Sequence, residues 1–251
     1  MKISEGLGNL YTMLHKKGDR IKPNSWQAQK IDHTMVELEN LFFEIQVPSD
    51  MKQLAIESNA DLPWAEDHFM ERLDGPSNPG KTYKWWPYYK QDEKWRDDGI
   101  FSHTYQERFW PPKKKGVRYQ MGNLNNIINR LNQDPSTRQA FLSIWHPEDH
   151  TNTPSRRLPC TIGYWFKVKD NILSVTYLIR SCDAIRHLHN DIYLTGRLLQ
   201  HVAESTKNKV GQISMWIGSL HCFESDLYEL NKRKNNVWNS IRERNIREAN
   251  K

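Results

Sequence analysis

The stretch "RSCDAIRHLHND", Arg180 to Asp191, places two arginines, two histidines, two aspartates and an asparagine within one short run. Just upstream, "RRLPC" sets Cys160 behind Arg156 and Arg157. Two chemistries suit these residue types. One is a metal site: His187, His189 and Asp191 alternate, would share a face of a strand, and could be joined by His201 and His221. That spacing is not specific, and neither H-E-x-x-H nor C-x-x-C occurs. The other is a pocket holding an anion beside a nucleophile. A thiol attacks as thiolate, and nearby guanidinium charge favours that form, which makes Cys160 the candidate. Arg20, Arg138, Arg156, Arg157 and Arg180 could converge on a phosphate through planar paired donors. Each residue also has a plainer reading: structural cysteine, loop histidine, solvated surface arginine. Cys182 and Cys222 lie in or beside apolar strands and read as core.

These residues need elements to position them. "TIGYWFKV" (161–168) and "ILSVTYLIRS" (172–181) read as strands joined by the turn "KDN". Alternation puts Leu173, Val175, Tyr177 and Ile179 on one face and Ser174, Thr176, Leu178 and Arg180 on the other. Arg180 therefore sits at a strand end. "DIYLTGRLLQHVAEST" (191–206) predicts a helix capped by Asn190 or Asp191, and "GQISMWIGSLH" (211–221) a further strand before a polar helix over 224–246. "NLNNIINRLNQDP" spaces Leu124, Ile127, Ile128 and Leu131 as one helical face, ended by Asp134-Pro135, and "RQAFLSIW" (138–145) reads as a strand. In the first half, residues 7–16 suggest a short helix, "KKGDR" a loop, 34–47 a strand region and 65–73 a helix. "GPSNPG" and "KWWPYYKQDEKW" read as a long surface loop. At 251 residues the chain suits one large domain or two small ones, and interleaved strands and helices predict a mixed α/β or α+β class.

Composition narrows the class. No apolar run reaches the roughly 18 residues that would suggest a membrane span, and the N-terminal twenty residues lack an apolar signal region. Three cysteines without an even framework point to a reducing, cytoplasmic setting. The net charge of +6 is modest and dispersed, so a phosphorylated small molecule suits it as well as a polymer does.

Read in order, "DPSTR…SIW…LPC…RSCD…HND…GSLH" resembles the thymidylate synthase superfamily, and within it the bacteriophage deoxycytidylate (dCMP) hydroxymethylases. The resemblance is strong from about Asn123 to Phe223 and weak over residues 7–122. The resemblance implies a single thymidylate synthase-like domain over 1–251, a three-layer α+β fold whose large mixed sheet supplies the dimer interface. It implies 5,10-methylenetetrahydrofolate as co-substrate, no metal, and a pyrimidine nucleoside monophosphate as substrate. Cys160 would attack C6 of the pyrimidine. Arg180 and Ser181 would bind phosphate, with Arg20 from the N-terminal segment and Arg138 donated across a homodimer. The family shows two adjacent arginines at that last place; here Gln139 follows Arg138. Asp183 would face the folate, Glu71 would organise water and proton transfer, and His221 would bind the sugar. Phe223 stands where family members carry a tyrosine, which removes a hydroxyl from the 3′ side.

"HND" bears on the base. Family members that act on uracil place an asparagine at the position of Asp191, and cytosine, with its N4 amino donor and bare N3, suits a carboxyl group instead. A register slip of one residue would put Asn190 there and restore uracil. The activity implied is hydroxymethylation of dCMP, with dCMP C5-methylation and thymidylate synthesis as alternatives. A basic nucleic-acid-binding protein on a degenerate synthase fold is the alternative from another class. "REANK" does not resemble the apolar tail that closes the site in thymidylate synthases, so closure is expected from another segment such as "KWWPYY".

Overall fold

A computed structural model describes residues 1–22, 34–74, 82, 96–97, 100–101, 103–111, 123–150 and 158–249. Arg156, Arg157 and the aromatic segment "KWWPYY" lie outside them.

Helix α1 (Ile3–Lys17) buries Ile3, Leu7, Leu10, Tyr11 and Leu14, a stripe at helical spacing. It begins earlier than the sequence suggests and takes in Lys16 and Lys17; "DRI" then forms β1 (Asp19–Ile21), so Arg20 lies on a strand and not in a loop. Strand β2 (Met35–Gln46) follows, then α2 (Met51–Ser58) and α3 (Trp64–Leu73). Two short strands, β3 (Arg96–Asp97) and β4 (Ile100–Phe101), pair with each other, and α4 (Tyr105–Phe109) succeeds them. Helix α5 (Leu124–Gln133) buries Leu124, Ile127 and Leu131. The strand expected over 138–145 is only β5 (Phe141–Ser143). A 3-10 turn covers Pro147–His150.

Strands β6 (Thr161–Lys169) and β7 (Ile172–Asp183) form a hairpin whose turn residues Asp170 and Asn171 have φ of 52° and 59°, the left-handed region that this tight turn needs. Helix α6 (Leu188–Ser205) starts one turn earlier than expected, with His187 at its N-cap. Asn190 and Asp191 sit in its first turn. Strand β8 (Lys209–Phe223) leads through a 3-10 turn (Glu224–Asp226) to α7 (Leu227–Ala249).

The main sheet runs β1-β2-β8-β7-β6-β5. Only the β7–β8 pair is parallel, joined by the α6 crossover; the rest are antiparallel. On one face Leu173, Val175, Tyr177 and Ile179 of β7 meet Ile213, Met215 and Ile217 of β8, all essentially inaccessible. Helices α1 and α6 pack on that side, and α7, α2 and α3 pack on those helices, giving three layers. The other face is mixed and open: Phe42, Trp216 and Leu178 are cross-strand neighbours, as are Phe141 and Trp165, with Phe42, Phe141 and Trp165 exposed, beside a polar stretch in which Gln212 and Ser214 donate to Glu44.

Candidate active site

Cys160 immediately precedes β6, where the ladder shifts register between Thr161 and Gly163. Such a bulge re-aims a strand end. Here the carbonyl of Ile162 accepts from both Ile144 N and Trp145 N, at 3.0 and 3.2 Å. Thr161 turns inward, its hydroxyl 2.9 Å from the Tyr177 hydroxyl and 3.2 Å from that of Tyr105. Cys160 itself is partly exposed, and its carbonyl accepts from Arg180 N at 2.9 Å.

Arg180 is more tightly held than a surface phosphate ligand would be. Its Nε donates to Pro159 O at 2.9 Å and its Nη2 to Leu158 O at 3.1 Å. Trp145 lies 5.8 Å from the guanidinium and donates its own indole N–H to Pro159 O at 2.8 Å. Arginine and tryptophan thus clamp the backbone that carries the candidate nucleophile. Gly218 makes room beside them, since a Cβ there would lie 2.7 Å from Arg180 O.

Asn190 and Asp191 point to different surroundings. The Asn190 carboxamide is engaged at both ends by Asp61: its oxygen accepts from Asp61 N at 2.9 Å and its nitrogen donates to Asp61 Oδ2 at 2.8 Å. Asp191 is partly exposed as a residue, but its carboxyl is desolvated. Cys182 Sγ lies 3.7 Å from its Oδ2, and its charge is felt by Tyr105, Tyr164 and Tyr177. Burial pushes the Asp191 carboxyl up to about 7 against the opposing charge of Arg72 and the thiol hydrogen bond. The Cys182 thiol is itself pushed well above its ordinary range by burial and by the charges of Asp191 and Asp183. Cys182 and Cys222 are core residues, as their strands suggested.

Helix α3 carries the other carboxylate. A two-point ion pair from Arg197 to Glu66, joined by the Tyr193 hydroxyl, pins α3 to α6. Its buried side presents Trp64, His68, Glu71 and Arg72. Glu71 Oε2 accepts from the Thr82 hydroxyl at 2.7 Å, and His68 Nδ1 lies 3.3 Å from the same oxygen. Burial works to raise the Glu71 carboxyl, but the bonds from His68 and Thr82 overcome it and hold it below the ordinary glutamate range. Arg72 reaches across, its guanidinium 4.5 Å from the Tyr105 ring centre. His68, Arg72 and Tyr105 were not among the sequence candidates. The signal was present: charged residues at i and i+4 on the same side as Trp64, Ala65 and Phe69 cannot be solvated there.

Asp183 ends β7. Its Oδ1 accepts from Ile185 N and Arg186 N, both at 2.8 Å, and its Oδ2 pairs with Arg186 at 2.9 Å. Burial opposes ionisation, but Arg186, His187 and His221 outweigh it and keep the carboxyl below its usual range. Arg186 also pairs with Asp226 at 2.6 Å and lies 5.2 Å from the Phe223 ring centre. His221 stands in register between Glu37 on β2 and Asp183 on β7, with Ser219 Oγ 3.3 Å from its Nδ1. Ser181 is the β7 partner of Ser219.

The remaining candidates lie on the surface. Arg20 Nε donates to Glu224 at 2.7 Å, and both side chains are exposed. Arg138 borders an open polar depression of about 800 Å³ with Arg130 and Gln139. The strand face imagined for His187, His189 and Asp191 does not arise, because 188–191 is helical. Among the described residues no three ligands cluster for a metal, and no helix is long and apolar enough to cross a membrane.

The thymidylate synthase family model matches residues 75–247. A Methanosarcina barkeri protein described as "putative thymidylate synthase" is 29% identical over 128 residues, covering 50% of this chain and 55% of the relative. One of the same description from Methanothermobacter thermautotrophicus is 30% identical over 137 residues, 51% and 59% of the two chains. The thymidylate synthase of Buchnera aphidicola is 26% identical over 140 residues, 55% and 52%. The chain thus spans about half the length of the curated relatives it matches. Cys160, Arg180, Asp183 and Asp191 lie inside the matched region, and Arg20 and Glu71 precede it. The chain belongs to the thymidylate synthase family.

Proposed function

We propose that the protein is a folate-dependent one-carbon transferase that hydroxymethylates C5 of dCMP. The reading rests on Asp191. Cytosine offers an amino donor at N4 and an acceptor at N3. A carboxyl group that keeps a proton near neutrality offers one acceptor and one donor to match them. Each buried partner left unmatched costs about 1–3 kcal/mol, enough for one to two decades of discrimination. Asn190 is tied to Asp61, which favours Asp191 as the reader of the base.

The other roles follow from chemistry at each position. Cys160 forms the bond from Sγ to C6, which makes C5 nucleophilic. 5,10-Methylenetetrahydrofolate, when bound, would supply the one-carbon unit and depart as tetrahydrofolate; water would supply the hydroxyl, C5 would lose its hydrogen as a proton, and the bond from Sγ to C6 would break to free the enzyme. Asp183, held ionised by its neighbours, suits an acceptor for the folate's N–H donors. Glu71, held as a carboxylate, suits an acceptor that orders water at the new carbon. Arg180 and Ser181 face the phosphate with Arg20, and His221 the sugar. The exposed Phe42, Phe141 and Trp165 on one sheet face support a homodimer, across which Arg138 would reach the second phosphate.

A second reading, methylation of dUMP, is favoured by the names of the relatives and by one feature of Asp191. Its protonated carboxyl could turn over and match O4 and N3–H of uracil as a carboxamide does. One assay separates the two: incubation with methylenetetrahydrofolate and dCMP, dUMP or CMP, with products identified by mass. Hydroxymethyl-dCMP is expected. Turnover of dUMP alone would show the cytosine assignment to be wrong. A DNA gel shift without turnover of any nucleotide would favour the binding protein instead.

A further inference from the structure

At one end of the main sheet, β2, β8 and β7 bring polar side chains into register. His221 has Glu37 as its neighbour on β2 and Asp183 as its neighbour on β7, and Ser219 pairs with Ser181 two positions back. Ser219 Oγ links two of these groups: it donates to Glu37 Oε1 and stands 3.3 Å from His221 Nδ1. A serine hydroxyl has one hydrogen to give. With that hydrogen on Glu37, the oxygen can only accept from the ring, so Nδ1 carries a proton. Burial pushes His221 below the ordinary histidine range, against the charges of Asp183 and Glu37 and the pull of the Ser219 carbonyl, and Arg180 adds to the lowering. The ring is therefore neutral near pH 7, and its one proton leaves Nε2 bare. That nitrogen has no hydrogen-bond partner among the described residues.

We propose that Glu37 and Ser219 are positioning residues that fix the tautomer of His221, so that its Nε2 accepts a hydrogen bond from a sugar hydroxyl. The sugar as ligand rests on the transferase reading; the chain of contacts from Glu37 through Ser219 to Nδ1 does not. Which nitrogen of a neutral ring is bare is set by the bond that the other one makes. Glu37 is what turns Ser219 into an acceptor. Without it the hydroxyl hydrogen is released toward Nδ1, and the ring proton passes to Nε2, where it opposes a hydroxyl donor. Phe223, two residues further along β8, has no hydroxyl of its own. Selection at this end of the strand therefore falls on Nε2. A sugar carbon bearing a donor is matched, and one bearing only an acceptor is not.

Long-range ¹H–¹⁵N correlation on the full chain labelled with ¹⁵N-histidine reports the protonated nitrogen, with His221→Gln to assign the signal. A proton on Nδ1 is expected in the wild type and in Ser219→Thr, which keeps the hydroxyl. In Glu37→Ala the proton should pass to Nε2. A wild-type ring protonated on Nε2 overturns the proposal, and so does an unchanged tautomer in Glu37→Ala. For the ligand, the nucleotide that is turned over is compared with two analogues. In one the 3′-hydroxyl is replaced by fluorine, which only accepts; in the other by an amine, which donates. The fluoro compound should lose about 10-fold or more in kcat/KM, through KM, and the amine should stay close to the parent. In Glu37→Ala the gap between parent and fluoro compound should close. A fluoro compound used as well as the parent by the wild type overturns the acceptor role of Nε2. The wild-type spectrum and the wild-type comparison of nucleotides decide even if Glu37→Ala does not fold. If the wild type turns over no pyrimidine nucleotide, the transferase reading fails, and the tautomer with its response to Glu37→Ala alone decides the role of Glu37 and Ser219.

Discussion

Asn190 and Asp61 hold each other by two hydrogen bonds, one through each end of the carboxamide. With Asn190, 2% exposed, committed to the 61 loop, its neighbour Asp191 is left to face the cysteine and tyrosine cluster. The two positions should therefore respond differently to substitution. Asp191→Asn should shift the ratio of kcat/KM for dUMP over dCMP upward by roughly 10- to 100-fold, the worth of one or two mismatched buried groups. Asn190→Ala should instead cost about 1–3 kcal/mol of stability in urea melts and leave that ratio alone. A ratio that moves with Asn190 and not with Asp191 would reverse the register.

Asp191 should also leave a mark on stability. Its carboxyl titrates near 7 in the fold against an ordinary value of 3.8. Between those values the folded chain keeps a proton that the unfolded chain has lost. Stability from this group therefore falls as pH rises through that window and stays reduced above it. Asp191→Asn lacks the titration. Urea midpoints of the two proteins should converge near pH ~4 and separate toward pH ~8, with the variant gaining. Parallel curves would mean that the carboxyl is not desolvated.

Cys160→Ala should abolish exchange of the C5 hydrogen of the nucleotide, because exchange requires the bond from sulfur to C6. Tritium release from labelled dCMP measures it. Release that survives at wild-type rate assigns the nucleophile elsewhere.

Arg180 holds the carbonyls of Leu158 and Pro159 as well as facing the proposed phosphate. Lysine keeps the charge but has no planar fork to span two carbonyls. Arg180→Lys should therefore lower kcat, through loss of cysteine placement, and also raise KM. Steady-state kinetics resolve the two effects, and a change in KM alone would confine Arg180 to substrate binding.

The exposed Phe42 lies on the open sheet face beside Trp216. Phe42→Arg should convert a dimer to a monomer in size-exclusion chromatography with light scattering, and activity should fall with it. Mixed dimers of Cys160→Ala and Arg138→Ala chains should regain part of the activity, since one of their two sites would be intact. A wild-type monomer with full activity would rule out the shared site.

The second half of the chain was largely legible. The alternation of Leu173, Val175, Tyr177 and Ile179 gave β7 its buried face, and the stripe through Leu124, Ile127 and Leu131 gave α5. Helix α2 escaped because it buries only Leu54 and Ser58, too little for a visible period; its start is signalled instead by Asp50, which caps Gln53 N. The α6 cap was misplaced because asparagine and aspartate are strong capping residues, and here tertiary partners claimed both. Arg72 could not be found from spacing in the matched motifs. It enters the site by burial against Tyr105, 33 positions away, and only packing brings them together.

The pairing of β2 with β8 has a consequence for how the molecule comes into being. From Met35↔Phe223 to Gln46↔Gln212, these neighbours lie 188 to 166 residues apart in a chain of 251. During synthesis the stretch bearing Cys160, Arg180 and Asp191 emerges before β8 does. Strand β2 meanwhile waits with one row of backbone donors and acceptors unmatched and Phe42 uncovered. Long-range closure of this kind is slow and leaves an adhesive edge open while it lasts. The nascent chain is thus most prone to associate with the wrong partner in the interval before its last strand arrives.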